Sequence, residues 1–440
     1  MKVTNVRVVN ICVPHSAFGE FQPLTMWFMV RYAALRSIVF IDTDECITGI
    51  GECHADATET IEPLKRRIIG EDPYNTNAIL RRIEKFGGIL YGHGHIGYFP
   101  ILKGAAGAID MALWDIIGKD CDKPIYKMIG GKCRPRVETR AFICALPPRE
   151  QAAMAVKCVE AGWKALKIKA GINPEHDLAC AKAVREAVGD HIEIGFDYNG
   201  RYTTNMALRL IKKMERYDPS HIEEPVDSFN IDALARVRRK VDTPILCCGR
   251  SSWHKESTLR LIERDACDAV NLYLGQHGFL ETQRIAAVAE AGGLVVSVHS
   301  GPGELGIFTA AQLHLITATP NFTWVSDTGY LYSNQPPSRD IITKPFKYEN
   351  GTMMVPEGPG LGVEIEEESF EEARRRYETE LDRWQHIRGP DARVPSTQDM
   401  YFYDYPEKYE WQANEWPFKG GWPYTGSPPK DKRERTYRGW

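Results

Sequence analysis

The stretch Ala165-Leu166-Lys167-Ile168-Lys169 is a short apolar segment that carries two lysines two positions apart. In a β-strand successive side chains point to opposite faces, so Lys167 and Lys169 project from the same face. Two ammonium groups this close disfavour each other's charged form, which lowers a pKa towards the range of a general base. The stretch therefore predicts a strand that ends at a polar site.

Further apolar segments of similar length precede and follow this strand, and amphipathic helical segments separate most of them. The predicted strands are 137–144, 165–169, 193–198, 221–224, 244–248, 269–274, 294–298 and 322–326. Strands that alternate with helices indicate a parallel α/β sheet, and eight of them favour a closed barrel. A doubly wound sheet is the alternative, but the chain has no Gly-rich nucleotide loop after the first of these strands. We therefore predict the barrel.

The regions on either side of the barrel have different patterns. Residues 1–132 combine strand-like runs with helical periodicity and predict an α+β capping domain, followed by the barrel at 133–345. Residues 346–394 are expected to return to the capping domain. Residues 395–440 form a tail rich in aromatic residues and proline, which predicts neither a simple disordered linker nor regular structure. The composition of this tail is equally consistent with a segment that packs over the protein's own surface and with an arm that packs around a neighbouring subunit.

Composition argues against several classes of function. The chain of 440 residues is 43% hydrophobic and 26% charged, with a formal net charge of −4. Because no basic surplus exists to neutralise phosphates, a role at nucleic acids or at a membrane surface is not expected. Eleven cysteines without metal-ligand spacing indicate buried thiols in a reducing compartment. With no signal-peptide core at the N-terminus and no apolar run of membrane-spanning length, a cytoplasmic protein is expected.

Polar residues stand at or just past the ends of the predicted strands. In a (β/α)8 barrel the carboxyl ends of the strands form the active face. Any one such residue could be a solvated loop charge or part of a buried ion pair, but a series at consecutive strand ends favours an active site. The candidates are Lys167, Lys169, Asp197, Glu223, Arg250, Tyr273, His299 and Asp327. His93 and His95 have metal-like spacing, but their Gly-rich surroundings favour a capping loop.

Several motifs in combination resemble the enolase superfamily, in its mandelate racemase/muconate lactonizing enzyme group. They are Ala108-Ile109-Asp110-Met111-Ala112-Leu113-Trp114-Asp115, Ile129-Gly130-Gly131-Lys132, Lys167-x-Lys169, Asp197 and Glu223-Glu224-Pro225. The resemblance implies an α/β fold, a modified (β/α)7β barrel with an N-terminal α+β capping domain. It also implies removal of the proton α to a carboxylate to give an enediolate, with a Lys or His base and Mg²⁺.

By this resemblance, Lys169 is the base and Lys167 steadies the substrate carboxylate. Asp197 and Glu223 match the first two metal ligands of the family. Such cations are needed because an enediolate carries two negative charges. In a water-poor pocket, nearby positive charges must stabilise it.

Arg250 departs from the family pattern, which has an acid or amide as third metal ligand at the end of the fifth strand. A guanidinium stays cationic and cannot ligate Mg²⁺. Three carboxylates with one Mg²⁺ carry one net negative charge, and so do Asp197, Glu223 and Arg250 without metal. We therefore expect Mg²⁺ to bind weakly or not at all. Arg250 is expected to form bidentate hydrogen bonds with carboxylates of the site or of the substrate. Arg250 and Asn199 are the candidate substrate-contacting or electrostatic residues.

The last three strands also depart from the pattern. Tyr273 stands where cycloisomerase-type members have a second lysine, and it is a candidate hydrogen-bond donor or acid. His299 is a candidate acid or base, but we identify no aspartate that would orient it, since Asp268 begins its strand at the wrong end. Asp327 roughly matches the eighth-strand acid that contacts substrate in this group.

Three functions follow from these residues. The leading one is a dehydratase of a hydroxy acid or acid sugar, in which Lys169 or His299 removes the α-proton and an acid on the opposite side assists loss of a β-hydroxyl. A racemase, epimerase or cycloisomerase is the second, and the apparent lack of a partner for His299 favours dehydration over epimerisation. A homologue that has lost its chemistry and binds a ligand is the third. The expected partners are a small carboxylate substrate and, in a homo-oligomer, other copies of the chain.

Overall fold

The protein is described from a computed structural model, which covers residues 1–22, 24–27, 29–54, 56–90, 100–248, 252, 254–301, 303–332 and 339–384. Arg250, His93, His95 and the tail at 395–440 lie outside the described residues.

A three-stranded antiparallel sheet forms the capping part of the molecule. Its strands are Val3–Pro14, Ala33–Thr43 and Thr48–His54, with the second in the centre. Buried Val39 and Ile41 pack the sheet against the helix Pro100–Asp120. Gly49 and Gly51 permit this close approach, because a Cβ at either position would overlap a carbonyl oxygen of that helix.

The other elements of the cap are short. Two small hairpins pair Ser16–Ala17 with Glu20–Phe21 and Leu24–Met26 with Met29–Arg31. An α-helix, Thr58–Ile61, is followed directly by a 3₁₀ helix, Glu62–Arg67. Pro63, which lacks a backbone N–H, stands in the first turn of that second segment and interrupts the α-helical hydrogen bonds. A longer helix, Thr76–Leu90, follows.

Eight parallel strands form the barrel, which confirms the predicted fold class. Neighbours in sequence are neighbours in the sheet, and the eighth strand pairs with the first. The seventh and eighth strands meet where Val298 N–H donates to Ser326 Oγ at 3.1 Å, so the ring is nearly closed. The strands are, in order, Val137–Ile143, Ala165–Lys169, Glu193–Asp197, His221–Glu223, Ile245–Cys248, Ala269–Leu272, Val295–Val298 and Ser326–Thr328.

The predicted position of the eighth strand, 322–326, is wrong by several residues. The prediction placed the strand at Phe322 and Trp324 because their side chains are apolar. Phe322 is buried, and the Trp324 ring packs edge-on against His221 with centroids 4.9 Å apart. These rings come before the strand and pack among other barrel residues. The strand itself is the polar segment Ser326–Thr328, whose residues are all buried.

Helices cover the outside of the barrel. They are Ile125–Met128, Pro148–Glu160, Pro174–Val188, Thr204–Met214 with the 3₁₀ turn Glu215–Tyr217, Ile231–Arg238, Lys255–Glu263, Leu274–Ala291 and Gly306–Ala318, with a further 3₁₀ turn at Tyr330–Tyr332. The helix Leu274–Ala291 is kinked at Gly278, which has φ +70° and tolerates it because glycine has no Cβ.

The end of the described chain returns to the cap. The short strand Thr352–Met353 pairs with the first barrel strand. The helix Glu367–Trp384 then packs on the cap, with Phe370 edge-on to Phe40 of the second cap strand at 5.9 Å. The exact domain boundaries stay predictions. None of the described helices combines the length and apolar character needed to cross a membrane. The eleven cysteines, all within the described residues, form no disulfide.

Candidate active site

The second, third and fourth barrel strands bring four predicted site residues together. Asp197 lies opposite Lys169 in one strand pair and opposite Glu223 in the next. Alternation along the second strand places Lys167 on the same face as Lys169. All four side chains are buried, so two ammonium groups and two carboxylates share one water-poor space.

Lys167 is surrounded by carboxylates. Its Nζ lies 2.6 Å from Glu223 Oε2, 2.8 Å from Asp327 Oδ2 and 3.2 Å from Asp197 Oδ2. Burial disfavours the ammonium, but the three acids, Asp327 foremost, raise the pKa of Lys167 well above its usual value. Lys167 therefore stays charged and supplies a fixed positive charge.

Lys169 has fewer partners. Its Nζ donates to Asp197 Oδ2 at 2.5 Å and to Asn199 Oδ1 at 2.8 Å. Burial alone would raise the pKa of Asp197, but the ammonium groups of Lys169 and Lys167 hold it below its usual range. Asn199, in a left-handed conformation with φ 45°, also donates its backbone N–H to Asp197 at 2.9 Å. Asn199 thus aligns the base candidate with its carboxylate.

Asp327 is the acid next to His299, which corrects the expectation that His299 has no aspartate beside it. His299 Nδ1 lies 3.5 Å from Asp327 Oδ2. The same carboxylate accepts hydrogen bonds from Arg140 at 3.0 Å and from Asn271 at 2.7 Å. Burial would raise the pKa of Asp327, but Lys167 and its other partners hold it well below the usual value. Asp327 is therefore a buried anion that organises the barrel interior.

Arg140 and Asn271 were missed in the sequence. Each lies on a barrel strand and binds Asp327 in the interior. The available signal was a polar residue inside an apolar strand, as in Ala269-Val270-Asn271-Leu272. Such a residue must find a partner when it is buried.

Tyr273 follows the sixth strand and faces the cap. Its Oη lies 3.2 Å from His54 Nε2, at the end of the third cap strand, and its ring packs edge-on to His299 with centroids 5.2 Å apart. Burial raises the pKa of Tyr273 well above its usual value, and Glu304 adds to the rise. The phenol therefore keeps its proton at neutral pH. His54 and Glu304 lie outside the strand-end pattern, so the sequence did not single them out.

The described residues do not fit a tightly held Mg²⁺. Asp197 and Glu223 supply two carboxylates, and Glu223 Oε1 has no hydrogen-bond donor among the described residues. The ammonium of Lys167, however, already lies between these acids. One group of ligand atoms, from Glu223, Cys248 and His299, lies within 4.8 Å of one another, but a thiol is a soft ligand unsuited to Mg²⁺.

Two family profiles match most of the chain. The profile described as "Mandelate racemase / muconate lactonizing enzyme, N-terminal domain" matches residues 10–130. The profile described as "Enolase C-terminal domain-like" matches residues 150–369, which is half of the chain. Together they cover most of the cap and seven of the eight barrel strands.

Individual relatives catalyse different reactions. D-galactarolactone cycloisomerase from Agrobacterium fabrum is 31% identical over 85% of this chain and 99% of its own length. D-galactonate dehydratase from Pectobacterium atrosepticum is 31% identical over 74% of this chain and 88% of its own. The dipeptide epimerase from Enterococcus faecalis, solved as a complex with Mg and a dipeptide, superposes with a TM-score of 0.73 at 27% identity, over 82% of this chain and 99% of its own.

Cycloisomerase, dehydratase and epimerase thus share this architecture. At these identities they agree on the fold and on the class of catalyst but not on one reaction. The chain belongs to the mandelate racemase/muconate lactonizing enzyme group of the enolase superfamily.

Proposed function

We propose that the protein is a dehydratase of a hydroxy acid or acid sugar. Lys169 removes the proton α to the substrate carboxylate, and an acid across the barrel protonates the leaving β-hydroxyl. The observation that carries this proposal is the position of Tyr273, a phenol that keeps its proton. It follows the sixth strand of a ring of eight, four strands from Lys169, so base and acid face each other.

Fixed positive charge supports the enediolate in this proposal. Lys167 stays an ammonium beside the base and attracts the substrate carboxylate, and we propose that Arg250 contributes a second cation. An anion that forms in a buried site is stabilised most by charges that are already in place. Because Lys167 lies between the two candidate metal ligands, we propose that Mg²⁺ is weakly bound or absent. Relatives whose names specify sugar acids support a small carboxylate as substrate.

A racemase or epimerase is the second candidate, and one observation favours it. His299 lies beside Asp327, and an acid partner strengthens a histidine as a base. A base of this kind across from Lys169 could exchange the proton on the second face of the substrate. The contact is long, at 3.5 Å, and burial lowers the pKa of His299. Dehydration therefore remains our first choice.

Proton exchange in D₂O separates these functions. A panel of sugar acids and N-acyl amino acids would be incubated with the protein and followed by NMR. We expect deuterium exchange together with loss of water, and Lys169→Ala should abolish both. Exchange with inversion but without water loss would establish the epimerase instead. No exchange across the panel would favour a homologue that only binds its ligand.

The same experiment assigns the second base. His299→Asn keeps a hydrogen-bonding side chain of similar size. If dehydration is correct, exchange at the face of Lys169 should persist in this variant. If the protein is an epimerase, exchange should continue from one enantiomer and stop from the other.

A further inference from the structure

Three side chains from separate parts of the chain meet around Gly301. A Cβ built on Gly301 would lie 3.1 Å from Glu304 Oε1, 3.6 Å from the His54 ring and 3.6 Å from Tyr273 Oη. His54 is exposed to solvent, whereas Glu304 is fully buried. The cluster therefore runs from the protein surface into the interior.

The hydrogen bonds of His54 determine where its proton lies. Arg36 donates from Nη1 to His54 Nδ1 at 2.8 Å, and a guanidinium can only donate. The surrounding protein and the charges of Arg36 and Arg31 lower the pKa of His54 well below its usual value. The ring is therefore neutral, with its single proton on Nε2, and it donates to Tyr273 Oη at 3.2 Å. The Tyr273 O–H remains available to donate to another group.

Glu304 is a buried carboxyl group with no cation bound to it among the described residues. It accepts from Gly301 N–H at 2.6 Å and from Ser300 Oγ at 2.5 Å. Burial raises the pKa of Glu304 to about 8, although Arg36 opposes the rise. At neutral pH the carboxyl group therefore holds a proton. The charged and titratable groups that face Glu304 and Tyr273 are Arg31, Arg36, Glu52, His54 and His299.

We propose that Glu304, Tyr273 and His54 form a proton relay that serves the leaving hydroxyl of the substrate, with Glu304 as the proton store. His54 acts as a positioning residue, since its N–H holds Tyr273 Oη and stabilises the phenolate that forms. This inference rests on the proposed dehydration and names the origin of its proton. It also makes the cap part of the catalytic machinery, because His54 ends a cap strand.

The proton count balances over a turnover. Lys169 takes the α-proton, the C–O bond to the β-hydroxyl breaks, and the Tyr273 O–H protonates the departing oxygen to give water. The resulting phenolate takes the proton of the Glu304 carboxyl group. The enol product becomes the ketone by moving its hydroxyl proton to carbon through solvent. After product release, water removes the proton from Lys169 and another water returns one to Glu304.

The first test separates proton removal from elimination. Tyr273→Phe and Glu304→Gln keep the size of each side chain but remove its transferable proton. On the substrate found by exchange, we expect both variants to retain deuterium exchange while elimination falls about 10²-fold or more. Elimination at the wild-type rate in both variants would overturn the relay and leave the dehydratase intact. Absence of exchange in the wild-type protein would instead overturn the dehydratase.

Matched controls guard against loss of structure. Tyr330→Phe removes another buried hydroxyl, which donates to the carboxylate of Asp340 at 2.5 Å. It should leave the ratio of elimination to exchange unchanged. If Tyr273→Phe and Tyr330→Phe lower this ratio equally, the specific role of Tyr273 is refuted.

The second test needs no substrate. Infrared difference spectra between wild type and Glu304→Gln, recorded across pH, isolate the carbonyl stretch of the protonated Glu304 carboxyl group. We expect this band at neutral pH and its disappearance as the pH rises through about 8. Elimination in the wild type should fall over the same interval, because only the protonated store can supply a proton, and Glu304→Gln should lack that fall. A Glu304 carboxyl group already ionised at pH 7 would overturn the relay.

Discussion

Lys167 and Lys169 share one face of one strand, yet their surroundings differ. Three carboxylates surround the ammonium of Lys167, whereas Lys169 contacts one carboxylate and one amide. An amine acts as a base only when it can release its proton easily, and each added carboxylate opposes this. The difference supports Lys169 as the base and Lys167 as the permanent cation.

This difference predicts unequal effects on stability. Lys167→Met leaves three buried carboxylates without their shared cation and should lower the free energy of unfolding by about 3–5 kcal/mol. Lys169→Met separates only one ion pair and should cost less. Urea unfolding of both variants measures the difference. Equal losses, or a greater loss for Lys169→Met, would contradict the geometry of the cluster.

The position of Lys167 also predicts the response to metal removal. After dialysis against a chelator, proton exchange by the protein should be unchanged, and elemental analysis should find less than one Mg²⁺ per chain. The dipeptide epimerase from Enterococcus faecalis, whose structure contains Mg, is a suitable positive control. Stoichiometric Mg²⁺ between Asp197 and Glu223 at neutral pH would refute the proposal.

At the scale of elements, Glu52 joins the third cap strand to a barrel helix. Its carboxylate accepts backbone N–H groups of Leu305 and Phe308, both at 2.9 Å, at the beginning of the helix Gly306–Ala318. Arg36 Nε lies 3.2 Å from the same carboxylate and donates to the carbonyl of Gly303 at 2.8 Å. A carboxylate at a helix N-terminus satisfies donors that the helix itself leaves unpaired. These contacts of Glu52 and Arg36 hold the cap against the segment that carries Glu304.

We therefore expect Glu52→Ala to weaken docking of the cap. It removes the acceptor of two backbone donors and the partner of a buried Arg36, with a cost of about 3–5 kcal/mol in the free energy of unfolding. Glu52→Gln retains one acceptor oxygen and should cost less. Glu45, whose side chain is 53% exposed, offers the control Glu45→Ala, which should change stability by less than about 1 kcal/mol. A similar loss in the control and in Glu52→Ala would show that the contact is not specific.

At the scale of the whole molecule, buried carboxyl groups connect stability to pH. Burial raises the pKa of Glu52 and of Asp110 to about 7, that of Glu304 to about 8 and that of Asp340 to about 6. In the unfolded chain the same groups release their protons near pH 4. The folded protein therefore binds more protons in between, so the contribution of these four groups to stability is fully present below about pH 4 and is lost as the pH rises through about 6 to 8.

Asp110 isolates this effect outside the active site. It accepts from Phe279 N–H at 2.6 Å, and Asp110→Asn retains an acceptor oxygen but cannot ionise. We expect the melting temperature of this variant to fall less steeply than that of wild type between about pH 5 and pH 8. Calorimetry across this range checks it. A slope identical to that of wild type would mean that Asp110 is ionised in the folded protein.

Short-range patterns in the sequence determined the strands and helices of this protein. In any strand, side chains alternate between the two faces, so the sequence alone placed Lys167 and Lys169 on one face. The periods of strands and helices span only a few residues, so they can be recognised in the sequence, and their alternation predicted the barrel. The eighth strand was misplaced since its own residues are polar and the apolar rings precede it. The candidate residues Lys169, Asp197 and Glu223 at the strand ends lie side by side, because the carboxyl ends of parallel strands meet at one face, and their catalytic roles stay predictions.

Tertiary structure alone decided which of these groups touch. Asp327 meets His299 and Lys167 only because the ring of strands closes, and residues 160 positions apart share a hydrogen bond. The cluster of His54, Tyr273 and Glu304 depends on docking of the cap, which joins residues 219 positions apart. No short period in a sequence encodes such distances. The sequence determined the strands and the groups at their ends, and the closed, capped barrel decided their partners and their charge states.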